Sequence, residues 1–104
     1  DIRHISLKLH ISNDIVTEYR FHAVRKWRFD YAHVETKTAI EIEGGAYSGG
    51  RHTRGKGYIN DMEKYNSAIE LGWVVLRYTP DQIKSQKAID QIKYVINFRK
   101  TYKP

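Results

Sequence analysis

The stretch TAIEIEGG, residues 38–45, decides how the chain is read. Its apolar residues predict a short strand. Side chains two apart on a strand share a face, so Glu41 and Glu43 project together with Ala39, and Ile40 and Ile42 project from the opposite face. Two carboxylates on one face of a short apolar strand need a physical reason. The segments on either side supply the frame in which to find it.

Upstream, IVTEYRFH (15–22) and WRFDYAHV (27–34) are β-branched, aromatic and alternating, and each predicts a strand. Trp27, Phe29 and Tyr31 are expected on one face, with Arg28, Asp30 and Ala32 on the other. Glu35-Thr36-Lys37 is a short turn, so strands 15–22, 27–34 and 38–43 form an antiparallel meander. The first fifteen residues fit either state: Ile5, Leu7, Leu9 and Ile11 alternate as in a strand, whereas Ile2, Ile5 and Leu9 lie on a helical face. Ser12-Asn13-Asp14 is a turn signal.

Downstream, GGAYSGGRHTRGKG (44–57) holds six glycines and four basic residues and predicts a long surface loop of the kind that often carries function. Residues 58–71 follow with Tyr58, Met62, Tyr65 and Ile69 on one helical face and Gly72 as a C-terminal cap. WVVLRYT (73–79) is nearly all apolar, as a central strand covered on both faces would be. Thr79, Pro80 and Gln82 form a helix start with a capping box, and Ile83, Ile89, Ile92 and Ile96 carry that helix to about Arg99. The expected architecture is α/β: a mixed sheet of about four strands, made of the meander 15–43 and a crossover strand 73–79, flanked by helices 58–71 and 80–99. The strand–helix–strand crossover sets strand 73–79 parallel to strand 38–43, beside it or one strand removed.

Length and composition narrow the function classes. The 104 residues suit one domain with a core of modest size. There is no cysteine, which excludes a disulfide framework, thiolate metal sites and a cysteine nucleophile, and weakly favours a reducing compartment. No segment approaches the run of about 20 apolar residues that spans a bilayer, so no membrane partner and a cytoplasmic setting are expected. The chain begins at Asp1 rather than Met, as a truncated one would. A formal charge of +6 and a pI near 9.6 favour a polyanionic partner, nucleic acid above all.

The meander folds Asp30 back onto residues 41–43. Three carboxylates gathered on one sheet face raise one another's pKa and oppose folding unless something offsets them. A divalent cation is the simplest offset, since Mg²⁺ takes one or two carboxylates and fills its shell with water and phosphate oxygens. Nearby lysine or arginine is the alternative, and the plainer possibility is a solvated face on which Glu41 and Glu43 pair with Arg28 or Lys37. The carboxylates sit at the strand's carboxyl end, where α/β sheets place ligands, and a basic glycine-rich loop begins directly after Glu43. Both features favour a site.

These residues resemble a known family. Asp30, then about ten residues, then Glu41-Ile42-Glu43 within AIEIEGG, is similar to the PD-(D/E)XK nuclease superfamily. The stretches EYRFHAVRKWRFDYA, AIEIEGGAYSGGRHTRGKGYINDMEKYN and GWVVLRYTPD resemble a phage and bacterial endonuclease subgroup related to very-short-patch-repair endonucleases and DUF559 proteins. They run in order from residue 18 to residue 81. The resemblance implies a restriction-endonuclease-like fold, DNA as partner, and hydrolysis of phosphodiester bonds, on branched or mismatched DNA among other substrates. It implies Mg²⁺, with Mn²⁺ able to substitute, held by Asp30, Glu41 and the main-chain carbonyl of Ile42. The third position, usually lysine, is Glu43 here, which would orient the attacking water or hold a second ion. Lys64 would then supply the missing cation from helix 58–71, although a surface pair with Asp61 fits its spacing equally well. The superfamily's helical glutamate has no clear counterpart, Glu18 being the nearest. Phage origin in a bacterial host fits the same resemblance.

In the loop, His52 is a candidate general base. Arg51, Arg54 and Lys56, set among glycines, are candidate phosphate contacts, and Tyr47 could stack on a base. His4, His10, His22 and His33 show no ligand spacing and read as structural or surface residues. Cutting both strands would take a homodimer or two events, because one chain holds one site. Two rivals remain: a DNA-binding domain of the same fold without catalysis, and an interaction domain whose carboxylates make only salt bridges.

Overall fold

A computed structural model describes residues 10–44 and 56–102. The β-branched and aromatic runs form strands as their alternation requires: β1 (Ile15–Arg20), β2 (Arg28–His33) and β3 (Thr38–Ile42), followed by helix α1 (Lys56–Glu70), strand β4 (Val74–Tyr78), a 3₁₀ turn (Gln82–Lys84) and helix α2 (Gln86–Thr101). The sheet order is β1-β2-β3-β4. β1, β2 and β3 pair antiparallel, and β3 pairs parallel with β4 in the register Thr38↔Val74 to Ile42↔Tyr78. The expected α/β architecture with a four-stranded mixed sheet and two helices is therefore present. None of the described helices is long and apolar enough to cross a membrane.

Each sheet face has its own core. On one, Ile15, Tyr31, Ile40 and Tyr78 pack with Ile83, Ile92 and Ile96 from the 3₁₀ turn and α2. On the other, Phe29, Ala32, Ala39 and Trp73 pack with Ala68 of α1. The second core is rich in rings: Phe21 stacks on Phe29 with centroids 4.1 Å apart, and Phe29 lies 5.0 Å from Trp73.

Four expectations need correction. Strand β4 lies at the edge of the described sheet, not at its centre. Its apolar composition reflects two covered faces, with Val75 in one core and Leu76 in the other, and says nothing about how many strands flank it. Second, Phe29 and Tyr31 do not share a face. The alternation breaks at Asp30, opposite Glu18, whose φ of 49° is a left-handed conformation inside β1.

Third, α1 does not dock through Tyr58, Met62 and Ile69, which are 44%, 46% and 67% exposed. It docks through Asn60, Lys64, Tyr65 and Ala68, the spacing of one helical stripe. It also starts earlier than predicted, so Lys56 and Gly57 belong to the helix.

Fourth, residues 80–99 are not one helix. The predicted capping box forms, with Gln82 N–H donating to Thr79 Oγ1 at 3.1 Å and Thr79 N–H to Gln82 Oε1 at 3.0 Å. It starts only the 3₁₀ turn. Ser85 then becomes extended (φ −79°, ψ 151°) and caps α2, its hydroxyl accepting from the Ala88 amide at 3.1 Å.

Candidate active site

The hairpin β2–β3 brings Asp30 beside Glu41, and it does so at a gap in the ladder. Regular pairing is present from His33↔Thr38 to Tyr31↔Ile40. Beyond it the carboxylates bridge the strands: the Asp30 amide donates to Glu41 Oε2 and the Ile42 amide donates to Asp30 Oδ2, each at 2.8 Å. The interrupted ladder thus holds both acids by the backbone of the other strand, which restricts their rotamers. Of the residues expected to hold a metal, Asp30, Glu41 and Ile42 are brought together here.

Glu41 is 4% exposed. Burial of a carboxylate requires a partner, and Lys64 reaches it from α1 with Nζ 2.6 Å from Glu41 Oε1. The same oxygen accepts from the Tyr65 hydroxyl at 3.1 Å. Burial pushes the Glu41 carboxyl above its ordinary range. Hydrogen bonds from Lys64 and the Asp30 amide, and the charge of Lys64, oppose that shift, while the charge of Asp30 adds to it. Lys64 makes this contact rather than a surface pair with Asp61, and its ammonium lies 5.8 Å from the Phe29 ring centroid.

Glu43 follows β3 and takes a different cation. Arg77 of β4 donates to Glu43 Oε1 at 2.5 Å, and the Tyr65 hydroxyl lies 3.4 Å from Oε2. Neither Arg28 nor Lys37 pairs with the glutamates; Lys37 Nζ donates to the Leu71 carbonyl at 2.8 Å. Tyr65 therefore bridges the two glutamates and is not core filler. Burial first, then the charges of Glu41 and Glu43, push its phenol far above the ordinary value, so it stays a donor. The Arg77 guanidinium sits 4.4 Å over the Tyr65 ring and is raised chiefly by its hydrogen bond to Glu43. Arg77 and Tyr65 were not assigned to the site from sequence. Arg77 carried a signal, being the only charged residue in WVVLRYT.

Asp30, Glu41 and Glu43 carry three negative charges against the two positive charges of Lys64 and Arg77. Among the described residues Asp30 is the acid without a cation: Oδ2 accepts from the Ile42 amide, and Oδ1 has no hydrogen bond there. An open carboxylate oxygen beside a buried carboxylate is a donor set suited to a hard divalent ion. Lys56 is exposed at the first position of α1. His52, Arg51, Arg54 and Tyr47 lie outside the described residues.

A second polar group lines the helix end of this face. Asn60 Oδ1 accepts from Arg25 Nη2 at 3.0 Å and from Trp27 Nε1 at 3.3 Å, and Arg25 lies 4.0 Å over the Trp27 ring. Of the histidines, His22 Nδ1 accepts from the Val24 and Arg25 amides in a turn. His33 is fully buried, and burial with the nearby Lys100 charge lowers its pKa against the opposing pull of Glu35 and Asp14. No family model, curated protein or solved structure matches this chain, so what its site can do is read from the site itself.

Proposed function

We propose that the chain is a divalent-metal-dependent DNA endonuclease of the restriction-endonuclease-like fold, hydrolysing phosphodiester bonds in duplex DNA with branched or mismatched features. The observation that carries this reading is the Asp30–Glu41–Lys64 group: two acids locked by each other's strands, one of them buried against a lysine 2.6 Å away, the other with an open oxygen. Asp30, Glu41 and the Ile42 carbonyl would hold Mg²⁺ or Mn²⁺. When bound, such an ion supplies Lewis acidity toward the phosphate and lowers the pKa of water.

The chain's own groups do the rest. Lys64 replaces from α1 the cation missing at Glu43, where it can orient the attacking water and offset charge on the phosphate. Water oxygen bonds to phosphorus, the bond to the leaving sugar oxygen breaks, and the water proton ends on solvent or on that oxygen. Glu43, held by Arg77, orients water at the rim. From their positions in the sequence after Glu43, His52 would act as general base and Arg51, Arg54, Lys56 and Tyr47 would contact DNA, and a homodimer would cut both strands.

One observation favours the catalytically inactive DNA-binding reading: both Glu41 oxygens already accept hydrogen bonds from the chain itself. A single experiment separates the two. Purified protein is incubated with supercoiled plasmid and with a four-way junction, in Mn²⁺, Mg²⁺ or EDTA, beside Glu41→Ala. Metal-dependent cutting that the variant loses, with its circular dichroism retained, is expected. Equal cutting by the variant would remove the proposed site. Salt-sensitive binding without cutting in any ion would select the inactive reading.

A further inference from the structure

The opposite end of the sheet carries a second group that the nuclease reading does not use. Ile15, the first residue of β1, pairs with His33, the last of β2. The segments just outside that pair are therefore neighbours: Asp14 before β1, and Val34 and Glu35 after β2. One ligand atom from each of Asp14, His33 and Glu35 lies within 4.8 Å of the others. Among the described residues no other three acidic or imidazole groups come so close. His33 and Asp30 are three strand residues apart, about 10 Å, so this group is separate from the Asp30–Glu41 site.

The second observation is the imidazole itself. His33 is completely buried, and its Nε2 is the one buried side-chain nitrogen or oxygen among the described residues without a hydrogen-bond partner. Asp14 Oδ2 lies 4.0 Å away. That is too long for a hydrogen bond and about half an ångström more than the roughly 3.4 Å that separates two ligands bound at about 2.1 Å in a tetrahedral shell. The other ring nitrogen, Nδ1, is 2.8 Å from Thr36 Oγ1, which is 2.9 Å from Thr38 Oγ1. The Thr36 carbonyl is held in turn by Arg99 Nε at 2.6 Å. A ring whose Nδ1–H donates to Thr36 presents the Nε2 lone pair toward the two carboxylates, the outer-shell arrangement that orients metal-bound histidines.

We propose that Asp14, His33 and Glu35 bind a borderline divalent ion of the Zn²⁺ class, which ties the turn before β1 to the β2–β3 turn and stabilises that end of the sheet. An imidazole with two carboxylates suits Zn²⁺, Co²⁺ or Mn²⁺ and disfavours Mg²⁺, which takes an all-oxygen shell. Asp14 and Glu35 are exposed and free to close the remaining distance, with water completing the shell. This inference is independent of the nuclease reading.

The test uses the full chain stripped with a chelator and titrated with Zn²⁺ or Mg²⁺. It follows melting temperature, calorimetric stoichiometry and the ¹⁵N shifts of the His33 ring. The variants are Asp14→Asn/Glu35→Gln, which alters exposed side chains only, and Glu41→Gln as control. Expected are a Zn²⁺-dependent rise in melting temperature that the double variant loses and Glu41→Gln keeps, a shift of His33 Nε2 with Zn²⁺ and none with Mg²⁺, and a loss of at least about tenfold in Zn²⁺ affinity in the double variant alone. Equal Zn²⁺ affinity in the double variant and the parent would overturn the site, as would Zn²⁺ binding that leaves the His33 ring resonances unmoved.

Discussion

Lys64 and Arg77 each pair with a glutamate, yet the two pairs differ in worth. The Lys64 and Glu41 side chains are 14% and 6% exposed, those of Arg77 and Glu43 49% and 23%. Removing one partner of a buried pair strands the other charge, so Lys64→Met should cost on the order of 3 kcal/mol in urea unfolding. Arg77→Ala should cost about 1 kcal/mol or less, because water screens its pair. Equal losses would mean that Glu41 is wetter than the structure has it. In the plasmid assay Lys64→Met should abolish cutting while Lys64→Arg keeps part of it. Asp30 and Glu41 were legible as neighbours because a short turn fixes which residues of two strands face each other. Their bridging of the strands through backbone amides was not, since a broken ladder leaves no periodic trace. The site role of Tyr65 was not legible, because an aromatic on an amphipathic stripe looks the same whether its hydroxyl ends in core or on a carboxylate.

At the scale of elements, α2 shows where periodicity misleads. Ile83 is buried, and so are Ile89, Ile92 and Ile96, so the apolar spacing runs on through a break in the backbone. The capping box at Thr79–Gln82 was legible and forms, but it closes one 3₁₀ turn, and Ser85 restarts the helix. Ser85→Ala should therefore cost about 1 kcal/mol, the usual worth of an N-cap. Chemical denaturation measures it, and a cost near zero would show that the 3₁₀ turn propagates into α2 without the cap. Helix α1 errs the other way. Its larger apolar side chains face outward, and the stripe that meets the sheet is polar at Asn60, Lys64 and Tyr65 and apolar at Ala68. A helix docked this way derives less stability from apolar burial, about 25 cal/mol per Å², and places three polar groups against Trp27, Glu41 and Glu43. No count of apolar residues predicts that orientation; the choice is made by the carboxylates of Glu41 on β3 and Glu43 just after it, which need partners.

Over the whole molecule, the meander, the parallel crossover and the two covered faces were legible because strand period, turn length and crossover handedness constrain them jointly. The position of β4 at the edge was not, because apolar runs report covered faces and not lateral neighbours. The net charge of +6 should give DNA affinity that falls steeply with salt, measurable as the slope of log affinity against log salt; a flat slope would argue against phosphate contacts. Folding stability should respond to alkali through two phenols. Tyr78 is buried, donates to Gln91 Oε1 at 2.6 Å, and has its pKa raised by burial above the ordinary 10.0. Tyr65 is raised by burial and by the charges of Glu41 and Glu43. The unfolded chain releases these protons near pH 10 while the folded chain retains them. Their stabilisation is therefore fully present below about pH 10 and is lost as pH rises through the higher folded values. Melting temperature should fall from about pH 10 upward, and Tyr78→Phe, which has no proton to lose, should fall less steeply than the parent. Parallel curves for the two proteins would mean that the Tyr78 hydroxyl meets water in the folded state, and that the core between β4 and α2 is open at Gln91.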